Sequence, residues 1–227
     1  MASGTAVGET PRWEEIDTVL LDMDGTLLDR HFDDHFWLEH VPQVYADRRG
    51  IGLERSKEDL FERFRAQEGT LNWTDLDYWS RELDLDIPEL KRQVEHLIAV
   101  HPTVTAFLDR LRCTGRAVRL VTNAHGKTLD LKMEKTALAG KFDGIHTSQE
   151  IGAPKEDHLF WERLRGIVGF DPSRTLLADD TEAVLERAAS FGIRWLVCVA
   201  RFSSTSPPRP SRRFFSIEWF REIMPPG

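Results

Sequence analysis

Val19-Leu20-Leu21-Asp22-Met23-Asp24-Gly25-Thr26 is the stretch whose reading decides the fold. Apolar, β-favouring positions run straight into two carboxylates spaced i, i+2, and a Gly-Thr turn follows at once. The pattern predicts a buried strand whose carboxyl end leaves the sheet at Asp22. Residues two apart on a strand project to the same side, so Asp22 and Asp24 address one small volume. Gly25 lets the backbone turn tightly beside them. An acidic helix cap or loop accounts for one aspartate, but poorly for two on one face after an apolar strand.

Outward from this strand, the region after residue 103 alternates between helical and strand patterns. Val104, Phe107, Leu108 and Leu111 predict a helix stopped by Gly115, and residues 117–121 a strand. Further on come a helix over 129–138 closed by Gly140, a short strand over 144–147 and a helix over 156–168. A strand over 175–178, a helix over 183–191 ended by Gly192 and a strand over 195–199 complete the series. Such alternation means βαβ units and a parallel sheet. The expected class is α/β, a Rossmann-like parallel sheet flanked by helices.

Residues 31–100 interrupt it and read as all helical. One helix starts near Phe32, passes Pro42 and breaks at Gly50-Ile51-Gly52; Ser56 is the expected N-cap of the next. Gly69-Thr70-Leu71-Asn72 reads as a loop before helices over 75–83 and 88–100, the latter with proline in its first turn. The chain therefore divides into an α/β core (1–30 and 101–227) and a helical cap (31–100), with hinges expected near 29–32 and 100–102. Residues 1 to 12 read as a mobile tail, 203–211 as a solvated loop and 217–223 as a final short helix. Arg209, Arg212 and Arg213 fit that solvated loop better than a binding patch.

At 227 residues and a net charge of −8, the chain offers no broad basic face for nucleic acid. A phosphate substrate must be drawn by a local cation. Cys113 and Cys198 are isolated and define neither a disulfide framework nor a thiolate metal site. No apolar run approaches the length of a membrane span and the first dozen residues lack an export signal, so the expected location is the cytoplasm.

In open parallel sheets ligands bind beyond the carboxyl ends of the strands. There the first strand delivers Asp22 and Asp24. The second delivers Thr122-Asn123-Ala124-His125, suited either to an anion or to capping the next helix. Lys155 follows Pro154 and is expected in the first turn of a helix, where a cation opposes the macrodipole by roughly 0.3–1 kcal/mol. The fourth strand delivers Asp179-Asp180. Two carboxylates ~4 Å apart repel by about 4 kcal/mol at an effective dielectric of 20, so the cluster requires cations. Lys155 supplies one. Oxygen-only ligands select a hard divalent ion, and Mg²⁺ fits best with a substrate phosphate completing its shell.

Asp22-Met23-Asp24-Gly25-Thr26, Thr122-Asn123, Lys155 and Asp179-Asp180, in this order, resemble the four motifs of the haloacid dehalogenase-like hydrolase superfamily, and the helical insert resembles its cap. A closer likeness, to the bacterial GMP/IMP 5′-nucleotidase subfamily, extends over Asp17 to Asp29, Phe36-Trp37, Thr70-Leu71-Asn72-Trp73 and Leu76-Asp77-Tyr78-Trp79-Ser80. It continues through Thr122-Asn123-Ala124-His125, Pro154-Lys155-Glu156-Asp157 and Phe191-Gly192-Ile193-Arg194, and departs in the N-terminal tail and after Arg201. The resemblance implies that Asp22 is a nucleophile forming an aspartyl-phosphate and that Asp24 is the general acid/base. It implies that Thr122 and the Asn123 amide hold the phosphate, that Lys155 offsets charge, and that Mg²⁺ is held by Asp22, Asp180 and the backbone carbonyl of Asp24, with Asp179 acting through water or by orienting Lys155. Dehalogenating relatives lack an acid/base at the position of Asp24, which favours phosphoryl chemistry.

The implied substrate is a small phosphate monoester, a purine nucleoside 5′-monophosphate such as GMP or IMP, with Trp73 and then Tyr78 as the expected stacking partners of the base. Another phosphometabolite such as a sugar phosphate, or a mutase reaction, is the alternative within the enzyme class. A non-catalytic phospholigand-binding protein is disfavoured because every catalytic position is filled.

Overall fold

The computed structural model describes residues 8–226; the first seven residues of the expected tail lie outside the described residues. Six strands form one parallel sheet: β1 (Thr18–Leu21), β2 (Ala117–Thr122), β3 (Gly144–Thr147), β4 (Thr175–Asp179), β5 (Trp195–Val199) and β6 (Phe215–Ile217). Their order is β3-β2-β1-β4-β5-β6. This is the doubly wound arrangement, in which the chain leaves β1 to one side and crosses back to β4 on the other. Both faces are covered, which is why the strands read as near-continuous apolar runs. Val19 and Leu21 face one core with Leu176, Ala178 and Phe107 of α6 (Val104–Arg112). Leu20, between them, faces the other with Leu177, Trp161 of α9 (His158–Val168) and Leu185 of α10 (Glu182–Phe191).

The segment between β1 and α6 builds its own apolar cluster from α1 (His31–His35), a π-helical turn over Phe36–His40, α2 (Val41–Arg49), α3 (Leu53–Gln67), α4 (Leu76–Leu83) and α5 (Ile87–Gln93). The widened turn ends two residues before Pro42, which has no N–H to continue the α-helical ladder. Ser56 is not a cap. The helix begins earlier, after Gly52, and the buried Ser56 hydroxyl donates to the Pro42 carbonyl at 2.7 Å, tying α3 to α2. The helix expected over 88–100 stops at Gln93, and a 3₁₀ turn at Glu95–Leu97 leads back to the sheet. There Val100 bridges Leu28, flanked by Asp29 N–H to Ala99 O and His101 N–H to Leu27 O, both 2.9 Å. The way out and the way back are thus paired with each other.

Other departures are local. Helix α7 (Gly126–Thr136) is closed by Ala137 at φ +55° rather than by Gly140. A single turn, α8 (Ser148–Ile151), and the three-residue β6 carry too little pattern to be read from sequence. The final helix is a 3₁₀ turn at Phe220–Ile223. No helix among the described residues is long and apolar enough to cross a membrane.

Replacing Ser56 by Ala removes the donor from a buried carbonyl. It is expected to cost about 1–2 kcal/mol in urea unfolding; an unchanged midpoint would show that the α2–α3 tie is not energetically used.

Candidate active site

The register places Leu21 opposite Ala178 of β4, so the next residue, Asp22, leaves the sheet level with Asp179. The turn after it is tight: Leu27 and Leu28 N–H both donate to Met23 O, at 2.9 and 2.8 Å. Gly25 has φ +86°, and a Cβ there would lie 2.5 Å from Asp180 Oδ2, so glycine is needed for both conformation and space.

Lys155 does not oppose a helix dipole as expected. The helix starts at His158 with Asp157 as its N-cap, accepting from Leu159 N–H at 3.0 Å, and Lys155 sits in the turn before it. That turn is built by its neighbours. Trp161 Nε1 donates to the Lys155 carbonyl at 2.9 Å, and the Lys155 N–H donates to Asn123 Oδ1 at 3.0 Å. The side-chain amide of Asn123 is meanwhile spent on Glu156, at 2.9 and 3.2 Å. Its side chain therefore shapes the lysine turn rather than reaching for a phosphate. So directed, Lys155 Nζ, 3% exposed, donates to Asp22 Oδ1 at 2.5 Å and to Asp179 Oδ2 at 2.6 Å.

The Thr122 hydroxyl is buried at the end of β2, accepts from Ala124 N–H at 3.0 Å and retains its own proton to donate. The N-cap of α7 is His125, not Thr122 or Asn123. Asp179 Oδ1 accepts from Thr181 N–H at 2.9 Å, which leaves its other oxygen to orient Lys155.

Carboxylate oxygens of Asp22, Asp179 and Asp180 lie within 4.8 Å of one another. The Asp24 side chain is not part of this trio, because its Oδ1 accepts from Lys132 of α7. Burial pushes Asp22 and Asp180 up to about 7 and Asp179 up to about 6, with Lys155 opposing in each case and neighbouring carboxylates adding to it. Burial also disfavours the Lys155 ammonium, but Asp179 and Asp22 more than offset this and hold it above the ordinary lysine range. Asp22 Oδ2 is buried without a hydrogen-bond partner. Three converging carboxylates that offer only oxygen fit a hard divalent cation, which Asp22, Asp179 and Asp180 could hold.

Sequence reasoning missed Arg30, whose Nη1 donates to Asp180 Oδ2 at 3.3 Å, the buried Lys132 and Lys91, and the half-buried Asp33 between them. Lys132 had a readable signal: it falls on the apolar face of α7 beside Leu131, where a lysine is out of place.

The site opens into a cleft of about 570 Å³ between the sheet and the helical segment, lined on the helical side by Trp37, Phe64, Trp73 and Trp79. Trp73 stands at the cleft, 41% exposed, its carbonyl accepting from Trp79 Nε1 at 3.0 Å. Tyr78, the second expected stacking residue, does not line the cleft. It packs edge-on against Trp79 at 5.0 Å, inside the helical cluster.

A doubly wound sheet with an aspartate pair after β1, a lysine bridging to the aspartates after β4 and a helical insert over the site defines a class of hydrolases. The family profile of haloacid dehalogenase-like hydrolases matches residues 16–192. The chain belongs to that family and is an enzyme of phosphatase type. It is 36% identical over 213 residues to the GMP/IMP nucleotidase YrfG of Escherichia coli K12, covering 94% of this chain and 96% of that one, and the Shigella flexneri protein of that name matches equally. Among solved structures, a HAD phosphatase from Thermococcus onnurineus superposes with a TM-score of 0.74 at 25% identity, over 92% of this chain and 96% of that one.

With their folded-state values raised to about 6–7, these aspartates bind protons in the native state that the unfolded chain has already lost above about pH 4. Stability from this cluster is therefore present at low pH and lost as pH rises through 6–7. In chelator, the melting temperature is expected to fall between pH 5.5 and 8. A divalent cation should restore it more at pH 8, where it displaces fewer protons. Cation stabilisation that is larger at pH 5.5 contradicts the ligand set.

Proposed function

We propose that the chain is a Mg²⁺-dependent, cytoplasmic 5′-nucleotidase that hydrolyses purine nucleoside monophosphates such as GMP and IMP through an aspartyl-phosphate on Asp22. The observation that carries this reading is the state of Asp22: one oxygen is held by Lys155, and the other is buried and without a partner. Held in this way, the free oxygen attacks phosphorus and the bond from phosphorus to the 5′-oxygen breaks. Asp24 gives a proton to the departing oxygen, then takes one from the water that cleaves the aspartyl-phosphate. The Thr122 hydroxyl donates to a phosphate oxygen, and Lys155 offsets charge on nucleophile and phosphate. Mg²⁺, held by Asp22, Asp179 and Asp180, supplies further neutralisation of the phosphoryl oxygens when bound.

Residues 31–100 act in this reading as a cap that closes over the cleft, with the paired segments around Leu28 and Val100 as its hinge. Trp73 offers an exposed indole to the base. The named relative in Escherichia coli is a GMP/IMP nucleotidase, and the likeness covers nearly all of both chains, cap included.

A phosphate-release panel of nucleoside monophosphates and sugar phosphates tests the substrate class; the purine 5′-nucleotides should lead it, and a sugar preference or a flat profile would overturn the nucleotidase reading. Asp22→Asn should abolish turnover with the fold intact, and Asp24→Asn should lower kcat by about 10²–10⁴-fold. Trp73→Ala should raise KM for the purine nucleotides, as expected from the loss of a stacking contact of about 1–3 kcal/mol, while ribose 5-phosphate is unaffected.

A further inference from the structure

Joined to Asp24 lies a series of charges, its two lysines buried and its aspartates half-buried, whose other members the mechanism above does not use. Lys132 of α7, 1% exposed, donates from Nζ to Asp24 Oδ1 and also to Asp33 Oδ2 of α1. Asp33 Oδ1 in turn accepts from Lys91 Nζ of α5 at 2.8 Å. Lys91, 2% exposed, stands 4.8 and 4.5 Å from the ring centroids of Phe32 and Phe36. The series Lys91–Asp33–Lys132–Asp24 thus starts among aromatic rings of the helical segment, crosses to the sheet domain and ends on a carboxylate in the cleft.

Stability alone is a poor reason for it. Burying two ammonium groups against half-buried carboxylates is often no better than filling the same space with apolar side chains. What the chain does achieve is orientation. Because Lys132 occupies Oδ1 as an acceptor, a proton carried by Asp24 resides on Oδ2, and the carboxyl group cannot rotate freely to exchange its two oxygens. Asp33, divided between two ammonium groups, holds Lys132 in turn, and Asp33 belongs to the segment that would move on closure.

We propose that Lys132 is a positioning residue for Asp24, and that Asp33, anchored by Lys91, completes this positioning only when the helical segment is seated on α7. The inference rests on the phosphatase reading and on Asp24 as its proton donor. It predicts which substrates suffer when the series is broken. Alkyl phosphates such as a nucleoside 5′-monophosphate need a proton on the leaving oxygen, whereas p-nitrophenyl phosphate releases a stable anion and needs none.

The test is kcat/KM for both esters, in Lys132→Gln and in the double variant Asp33→Asn/Lys91→Met, which removes the helical segment's half of the series as a neutral pair. Melting curves check folding. Lys132→Gln should lose about 10²-fold on the nucleotide and stay within about threefold on p-nitrophenyl phosphate. The double variant should show the same selectivity with a smaller loss, and it carries the comparison if Lys132→Gln does not fold. Equal losses on the two esters, as from a general loosening of the fold, or no loss on either, overturn the positioning role. A wild-type protein inactive on both esters fails differently, because it rejects the phosphatase reading itself.

Discussion

One ammonium group shared between two buried carboxylates is the interaction on which the site depends. Asp22 and Asp179 stand on neighbouring parallel strands that the sheet places side by side, and burial makes their joint ionisation unfavourable. Lys155 makes the pair tolerable by donating to both. Removing it would leave two buried charges uncompensated, so the turn that carries it is constrained in detail. Asn123 takes its N–H, Trp161 its carbonyl, and Asp157 starts the helix just beyond it. The arrangement leaves one oxygen of Asp22 free, and that incompleteness is what a nucleophile or a metal ligand requires.

The topology explains why these groups meet. The chain leaves β1 towards β2 and leaves β4 towards β5, so the loops after β1 and β4 part in opposite directions and open a crevice between them. Asp22 lies on one side of this switch point and Asp179 and Asp180 on the other. Gly25 closes the gap further, since any side chain there would collide with Asp180. The helical segment is inserted directly after this loop and returns beside it, which places a cover over the crevice without interrupting the sheet.

Much of this was legible in the sequence, for physical reasons that also explain the failures. Strands buried on both faces carry long apolar runs, so β1, β2, β4 and β5 stood out, and polar residues at their carboxyl ends were conspicuous by contrast. What remained hidden depended on tertiary partners. Ser56 looks like a cap locally, yet its hydroxyl is claimed by Pro42 of another helix. Lys155 looked like the start of a helix because Glu156 and Asp157 suit a first turn; only Asp157 proved to be the cap. Asp33 and Lys91 lie within helical patterns, and Arg30 just before one, where charge ordinarily means solvent, and no local signal separates a charge aimed inward from one aimed outward.

The charges divide the labour between the two parts of the molecule. Asp22, Asp179 and Lys155 are held by short, mutually reinforcing contacts within the sheet domain. Asp24 is different: it projects from the same loop as Asp22, but its carboxylate is governed by Lys132, and Lys132 by a residue of the insert. Leu131, next to Lys132 on α7, is itself part of the insert's apolar cluster, so one helix of the sheet domain serves as the seat for the helical segment. On the proposed reading, the helical segment thereby also touches the carboxylate that gives a proton to the leaving oxygen. Nucleophile and charge neutralisation can be preorganised permanently, because they act on the phosphate that every substrate carries. On the proposed reading, proton delivery acts on the leaving group, which differs between substrates, and Asp24 is the group that hydrogen bonds link to the helical segment.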